Sequence, residues 1–560
     1  MIYIEEKPTK KVPGLTSLFI TFKYNPRIID IIKSTNTAIF DKKAVCWEVP
    51  TIYLQTLIDQ LCVIDDIDLK LLKTNISAQP EVDLKLSEYK TMPFDYQVEG
   101  IKYGLSKEKW LLLDGCGLGK SLQLIIIAGE LKRLGKISHC LVICGINNLK
   151  SNWLKEISKH SNLTATVLGR KVSAKGKVTY GSIKDRVNIL KNPIDEFFVI
   201  SNIETFRNDD IIKAINKGPN KFDLIIIDEI HTIRTVSSAQ GSNILKLKDS
   251  KYRIGATGTL LLNDPLDCYA PMKWIGIEKS AASTFEYFYY NYGGAFGNTF
   301  KGYKNLDVLK EQLGEFSLRR TKDVLPNLPP KTVINEYIEM DDKQAEFYNN
   351  LKRGIRDQVD KVKISTANLL SMIIRLRQAT SCPSILTTEN IESAKVKRAV
   401  DLARQLVSGG EKVVIFTGFI ATANKVAEML SDLNPLVCTG ETPQSEIDKN
   451  RDLFQSNPDY KIFVGTWQKC GTGIDLNAAS YEICTESSWT SGQNTQTEDR
   501  IHRANNTKPA FIYYLITKDT IDEKVMNIVN NKAAMSSFII DDSIPPEYEE
   551  ELRKYILELS

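Results

Sequence analysis

Ten short apolar runs, separated by segments long enough for helices, constrain this chain more than any other feature. WLLLD at 110, CLVIC at 140, FFVIS at 197, LIIID at 224 and YRIGA at 252 form one series. KVVIF at 412, PLVCT at 435, KIFVG at 461, YEICT at 481 and FIYYL at 511 form a second. Runs this short and this uniformly apolar read as strands buried on both faces, and strand, helix, strand alternation predicts a doubly wound parallel sheet. Two series predict two α/β lobes, and 560 residues are too many for a single core. The expected division is a small α+β module over 1–75, a first lobe over 76–275, a helical insertion and linking region over 276–395, a second lobe over 396–540 and a tail over 541–560. The linking region opens with an aromatic, glycine-rich stretch, FEYFYYNYGGAF, before turning to basic and aliphatic helical segments.

Composition narrows the class of partner. With 42% hydrophobic and 25% charged residues the chain has an ordinary globular make-up, and a formal charge of +4 calls for a local basic patch if the partner is a polyanion. The amino-terminal residues lack the apolar core of a signal peptide, and no uncharged run approaches the roughly 20 residues of a membrane span, so a cytoplasmic protein is expected. Ten cysteines without paired spacing and four histidines predict reduced core thiols and no zinc site.

The strongest local signal is LLLDGCGLGKSLQ, an apolar strand running into a glycine-rich turn before a helix. Gly115, Gly117 and Gly119 let backbone N–H groups close round phosphates, Lys120 reaches the β and γ phosphates, and the Ser121 hydroxyl can bind Mg2+. Asp114 stands where the generic phosphate loop has its first glycine. About a hundred residues on, KFDLIIIDEIH delivers Asp228 and Glu229 at the carboxyl end of a buried strand, the edge where such sheets bind ligands. Asp228 is expected to hold the metal with Ser121, and Glu229 to polarise the attacking water of ATP hydrolysis. In QNTQTEDRIHRANNT, Arg500 and Arg503 are three apart, which predicts one face of a helix. They are either a surface pair or the groups that domain closure swings onto the γ-phosphate.

The order of these motifs resembles the Swi/Snf group of superfamily two helicase-like ATPases from about residue 90 to 535. The resemblance implies two RecA-like lobes with family-specific helical insertions. FDYQVEGIKYGL looks like the adenine-contacting motif, which assigns Gln97 to the adenine edge. DGCGLGKS matches the group's own phosphate loop, in which Asp114 is the usual residue and Cys116 replaces methionine. LVICGINNLKSNWLKEI, with Trp153 and Glu156, resembles motif Ia. GATGTLLLNDPLD resembles motif III, placing Thr257, Gly258 and Thr259 toward the nucleic acid, and KCGTGIDLNAAS does the same for Gly471, Thr472 and Gly473. FSLRRTKDVLPNLPPK and RLRQATSCP are similar to segments of this group that most other helicases lack. The glutamine that usually follows motif VI is missing from ANNTK. Near the amino terminus, Tyr24, Asn25, Pro26, Trp47 and Pro50 resemble the HARP module of annealing helicases; in the alternative reading Phe22, Tyr24 and Trp47 merely form a small core.

Two functions are consistent with this reading. One is a DNA-dependent ATPase that translocates on duplex or forked DNA without sequence preference, working by branch migration, fork regression or strand annealing in replication and repair. The other uses the same engine to displace a nucleic-acid-bound protein complex such as RNA polymerase. A catalytically dead scaffold is disfavoured by the presence of Lys120, Asp228, Glu229 and Arg503. Without bromodomain-like, SANT-like or acidic additions, a compact motor of this kind suits a bacterial or viral setting. Lys352, Arg353, Arg356, Lys361 and Lys363 either line a DNA path or form a solvated helix face.

Overall fold

A computed structural model of the chain describes residues 2–8, 16–35, 38–41, 44–50, 57, 61, 69–72, 83–145, 147–173, 178–247, 250–258, 260, 265–293, 299–325, 327–361, 366–471, 474–488, 491–504 and 506–530. The fold separates into two compact units. The first comprises Met1–Asp114, Lys120–Leu260 and Pro265–Arg319, and the second runs from Arg320 onward and takes in Gly115–Gly119.

All ten apolar runs lie in strands. In the first unit seven parallel strands stand in the order Ser317–Leu318, Lys109–Leu112, Tyr252–Ala256, Phe222–Asp228, His139–Cys144, Phe198–Asn202 and Ala165–Val167. The helix Lys120–Arg133 is buried from Leu122 through Leu131, its aliphatic residues packing among the central strands. In the second unit six parallel strands stand in the order Lys331–Ile338, Ala510–Thr517, Tyr481–Cys484, Val413–Thr417, Ile462–Thr466 and Leu436–Cys438. The region 276–395 contains helices, and it also supplies an edge strand to each sheet, Ser317–Leu318 to one and Lys331–Ile338 to the other.

The amino-terminal residues build a five-stranded sheet in the order Ile39–Asp41, Cys46–Pro50, Thr16–Phe22, Ile2–Pro8 and Leu69–Leu72, antiparallel except for the last pair. Its one fully described helix, Pro26–Ser34, packs Ile28 and Ile32 against the sheet. Asn25 caps that helix, its side chain accepting from the Arg27 N–H at 3.0 Å, and Pro26 occupies the first turn, where its missing N–H costs nothing. Tyr24 is 83% exposed, and half-buried Trp47 packs beside Phe40 and Lys33. None of the nine described cysteines is in a disulfide, and all but Cys116 are buried. Among the described residues no helix is long and apolar enough to cross a membrane.

A buried ion pair ties together the helices of the second unit. Lys395, on the helix Ala394–Ser408, is fully buried, and its Nζ lies 2.5 Å from Asp522 Oδ2 on the helix Ile521–Asn530. The other Asp522 oxygen accepts from Thr380 Oγ1 at 3.1 Å, and Thr517 N–H reaches Oδ2 at 3.3 Å. Asp522→Ala strands the ammonium without its counter-charge and is expected to cost about 3–5 kcal/mol, read as an earlier urea transition of the second unit. Lys395→Met with Asp522→Leu should recover most of that loss, since an apolar pair of similar volume carries no desolvation penalty.

Candidate active site

The strand Lys109–Leu112 leaves the first sheet and turns into the helix Lys120–Arg133 through the glycine-rich loop. Gly117 and Gly119 have φ of 83° and 70°, left-handed values that a side chain would strain. Asp114 is fully buried, with its Oδ2 accepting from Gln123 Nε2 at 3.0 Å. Its carboxylate therefore joins the start of the loop to the following helix. Lys120 Nζ donates to the Asp114 carbonyl at 3.0 Å, folding the ammonium back over the loop, and half-buried Ser121 follows in the same first turn.

The strand Phe222–Asp228 is buried through Ile227, and Asp228 is its first half-buried residue. Asp228 Oδ2 accepts from Trp153 Nε1 at 2.8 Å and Oδ1 from the Glu229 N–H at 3.1 Å. Glu229 itself is left-handed, with φ of 56°, and its backbone carbonyl accepts from Thr232 N–H and Oγ1 at 2.9 and 2.8 Å. Its Oε2 accepts from Thr257 Oγ1 at 3.0 Å and lies 3.3 Å from His231 Nδ1, which is also 2.9 Å from Thr257 Oγ1. Because the Thr257 hydroxyl proton is directed at Glu229, the His231 Nδ1–H is shared between the hydroxyl oxygen and Glu229 Oε2.

These surroundings drive the two adjacent carboxylates apart. Burial, reinforced by the charge of Glu229, pushes Asp228 up to about 6, against the opposing pull of the Trp153 hydrogen bond and the Lys120 charge. Burial would raise Glu229 too, but the hydrogen bond and charge of His231, the charge of Lys120 and the Thr257 hydroxyl outweigh it and bring Glu229 down to about 2. Lys120, Asp228 and Glu229 thus form one electrostatic group. The oxygen donors of Asp228 and Ser121 suit a hard cation such as Mg2+. Among the described residues no cluster of three or more His, Cys, Asp or Glu is placed to hold a metal.

Other sequence-predicted residues have different surroundings from those expected. Gln97 is buried, and its Oε1 accepts from the Phe94 N–H at 2.9 Å, capping its own helix, Asp95–Ser106. Thr257, read as facing nucleic acid, is fully buried against Glu229 and His231, while Gly258 is half-buried. Gly471 is buried and ends the helix Trp467–Cys470 by donating to the Trp467 carbonyl at 2.8 Å; a Cβ there would collide with that carbonyl. Thr259, Thr472 and Gly473 lie outside the described residues, as do Lys363 and the side chains of Arg356 and Lys361. Trp153, His231 and Gln123 are the supporting residues to which the motifs assigned no role, and a lone tryptophan in the polar helix Asn147–His160 was the available signal for the first.

Arg500 and Arg503 do not share a helix face. The helix Ser491–Glu498 ends before them, and a run of turns follows. What brings the arginines together is the Ile474 carbonyl, which accepts from Arg500 Nη1 at 3.2 Å and Arg503 Nη2 at 3.4 Å. Arg503 also pairs with Asp475, while its Nε is buried with no hydrogen-bond acceptor among the described residues. A buried donor left in that state costs about 1–3 kcal/mol, a cost that a ligand acceptor would remove.

The chain matches two family models, the SNF2-related domain over residues 96–385 and the helicase conserved C-terminal domain over residues 394–505. It is 25% identical over 477 residues to an uncharacterized ATP-dependent helicase of Mycoplasma pneumoniae, covering 82% of this chain and 43% of the relative. It is likewise 25% identical over 477 residues to the ISWI chromatin-remodeling complex ATPase ISW1 of Saccharomyces cerevisiae, covering 80% of this chain and 40% of that one. The chain therefore spans about two-fifths of the length of these relatives. Among solved structures it is similar to a Sulfolobus solfataricus SWI2/SNF2 ATPase core in complex with dsDNA, at 26% identity, 85% coverage of this chain, 99% of that chain and a TM-score of 0.39.

The Trp153 hydrogen bond yields a pH prediction. A cation held by Asp228 would need the carboxylate form, so Mn2+ affinity, titrated with a non-hydrolysable ATP analogue, should be full at neutral pH and fall as pH drops through about 6. Trp153→Phe removes an interaction that lowers the Asp228 pKa, and the midpoint of that loss should therefore move to higher pH.

Proposed function

The chain belongs to the SNF2-related family, whose domain model spans residues 96–385 of its 560, and from that premise we propose that it is a DNA-dependent ATPase that translocates on DNA and remodels it. The observation that carries this reading is the convergence of Lys120, Asp228 and Glu229 at the carboxyl edge of the first sheet, next to a loop shaped for phosphates. Lys120 neutralises charge on the β and γ phosphates, and Asp228 with Ser121 holds Mg2+, which supplies charge stabilisation to the transferring phosphoryl group. Glu229, kept ionised by His231 and Thr257, accepts the proton of the attacking water. Arg500 and Arg503 complete the charge at the γ-phosphate when the DNA track draws the motor closed. Gln97 turns toward the adenine edge, and the motif III and motif V segments, including Thr259, Thr472 and Gly473, meet the DNA backbone without reading its bases.

The amino-terminal sheet adds the selection of DNA structure. Exposed Tyr24 and Phe40 offer rings to unpaired bases, stacking at about 1–3 kcal/mol each, and this HARP-like role would steer the motor toward fork regression or annealing. The name of the yeast relative, a chromatin-remodeling complex ATPase, favours a second reading, in which the same engine displaces a DNA-bound protein complex.

ATP hydrolysis should depend on both DNA and Mg2+. Lys120→Ala should abolish productive nucleotide binding, and Glu229→Gln should leave ATP bound while turnover collapses. Arg503→Ala should cost on the order of a thousandfold in kcat. Near-normal turnover in Glu229→Gln would rule out this carboxylate as the base. A second test compares ATPase rates on duplex, fork and single strand, together with annealing of complementary strands. Tyr24→Ala with Phe40→Ala should keep duplex-stimulated hydrolysis and lose both fork preference and annealing. Unchanged fork preference would turn the module into a cap or a protein-binding site.

A further inference from the structure

The arginine turn of the second unit follows the end of a helix, with Asp499 N–H donating to the Thr495 carbonyl at 2.9 Å, Arg500 N–H to the Thr497 carbonyl at 2.9 Å and His502 N–H to the Glu498 carbonyl at 3.2 Å. From Asp499 to Asn506 the described backbone consists of turns, yet Asp499, Arg500 and His502 are all buried. The Leu476 N–H donates to the Arg500 carbonyl at 3.0 Å, and an upstream segment adds a set of side-chain contacts. Lys322 Nζ lies 2.5 Å from Asp499 Oδ1, 2.6 Å from the His502 carbonyl and 3.1 Å from His502 Nδ1. The other ring nitrogen, His502 Nε2, lies 2.8 Å from the Pro329 carbonyl. An ammonium can only donate, so Nδ1 accepts and the ring proton sits on Nε2, donating to Pro329. Burial, with the charges of Lys322 and Lys331 acting in the same direction, lowers the pKa of this imidazole, in keeping with a neutral ring.

A second lysine closes the other side. Lys331 Nζ lies 2.5 Å from Glu498 Oε2, and Glu498 Oε1 accepts from Tyr514 OH at 2.8 Å. Lys331 opens the strand Lys331–Ile338, which runs in register along Ala510–Thr517, so this anchor is part of the sheet itself. Asp499 and Glu498 are 4% and 9% exposed at their side chains, which makes both pairs far less screened than surface contacts. Asp499 and His502 bracket Arg500, and His502 immediately precedes Arg503.

We propose that Lys322 and Lys331, together with the Pro329 carbonyl, act as a positioning strap for the arginine turn, with Lys322 as the principal residue. Lys322 fixes Asp499 and His502, and through them sets where the guanidinium groups of Arg500 and Arg503 are presented. Neither lysine is a catalytic residue in this scheme. The proposal rests on the reading that the two arginines act on the γ-phosphate, and it adds the part that determines their geometry.

The test is a double-mutant cycle on the full-length protein, reading kcat and KM for ATP, duplex affinity and thermal melting. Displacement of a catalytic group by an ångström costs up to about a hundredfold, so Lys322→Met is expected to lower kcat by on the order of tenfold to a hundredfold. Duplex affinity should stay within about twofold, because neither lysine is among the residues assigned to DNA, and KM for ATP is read beside kcat because the Lys322 side chain passes close to Gly117 of the phosphate loop. Lys322→Arg, which keeps a donor within reach of Asp499 and the His502 carbonyl, should restore most of the rate. In an Arg503→Ala background Lys322→Met should add less than about twofold, since residues that act as one unit are not additive. Asp499→Asn, which keeps the side-chain volume and removes the charge, should reproduce the kcat loss and provides the test if Lys322→Met proves unstable. Losses that multiply in the double variant, or normal kcat in both Lys322→Met and Asp499→Asn while Arg503→Ala is impaired, would overturn the strap. Normal turnover in Arg503→Ala would instead overturn the arginine reading on which the strap rests.

Discussion

A parallel strand covered by helices on both faces can place charge only at its ends, and the first unit is organised by that restriction. Phe222 through Ile227 are buried, and the first side chain of that strand with access to solvent is Asp228. Register does the rest. Asp228 pairs with Ala256, and Ala256 pairs with Leu112 on the next strand over. Three neighbouring strands therefore end at the same level, releasing Asp228, Thr257 and the Asp114 loop along one edge. The grouping of acid, hydroxyl and phosphate loop is thus a consequence of strand pairing.

Glu229 shows what that edge demands of the backbone. In an extended chain consecutive side chains point to opposite faces, so an acidic pair continuing the strand would be divided. The left-handed φ of 56° at Glu229 breaks the alternation and carries its carboxylate to Thr257 and His231. For a residue with a side chain that conformation costs of order 1–3 kcal/mol. The Thr232 contacts to its carbonyl and the donation of its N–H to Asp228 are the local interactions that offset the cost. Strain, hydrogen bonding and the opposed pKa directions of Asp228 and Glu229 therefore have one cause.

What could be read in the sequence follows from how local each signal is. The ten buried strands announce themselves, because a run of five apolar residues has no other good environment. Ser317–Leu318 is too short to show any period, and Lys331–Ile338 leaves Val333 and Tyr337 about half exposed, so neither carries the apolar signature. The types and spacing of Lys120, Asp228 and Glu229 were legible, whereas the Trp153, His231 and Thr257 contacts that tune them depend on register between distant strands and helices. Nothing in QTEDRIHR breaks a helix, since it contains neither glycine nor proline. Past Glu498 the backbone tightens into i−3 bonds at Arg500 and Ile501, and Asp499 and His502 meet Lys322, a residue far away in sequence, a pairing that no local pattern encodes. Gln97 illustrates a further limit: the amide that suits a base edge also suits a helix cap, and the spacing is the same for both.

The charges of the second unit differ in how completely they are satisfied, and that difference separates holding from acting. Glu498 has both oxygens engaged, one by Lys331 and one by Tyr514, and Asp522 likewise accepts at both. Such groups gain nothing from a further ligand. Around Ile474 two guanidinium groups share one carbonyl, Arg500 also donates to the Gln496 carbonyl, and the one carboxylate paired there, Asp475 with Arg503, is itself 60% exposed at its side chain. Burial and the neighbouring charge of Arg503 both disfavour the charged form of Arg500. The turn therefore carries more positive charge than its own surroundings neutralise, and Arg503 Nε points a donor at no acceptor among the described residues. A multiply charged anion with several oxygens relieves both deficits at once, and a phosphate has that chemistry. A turn that serves only to hold the fold would be expected to resemble the Glu498 cluster, and this one does not.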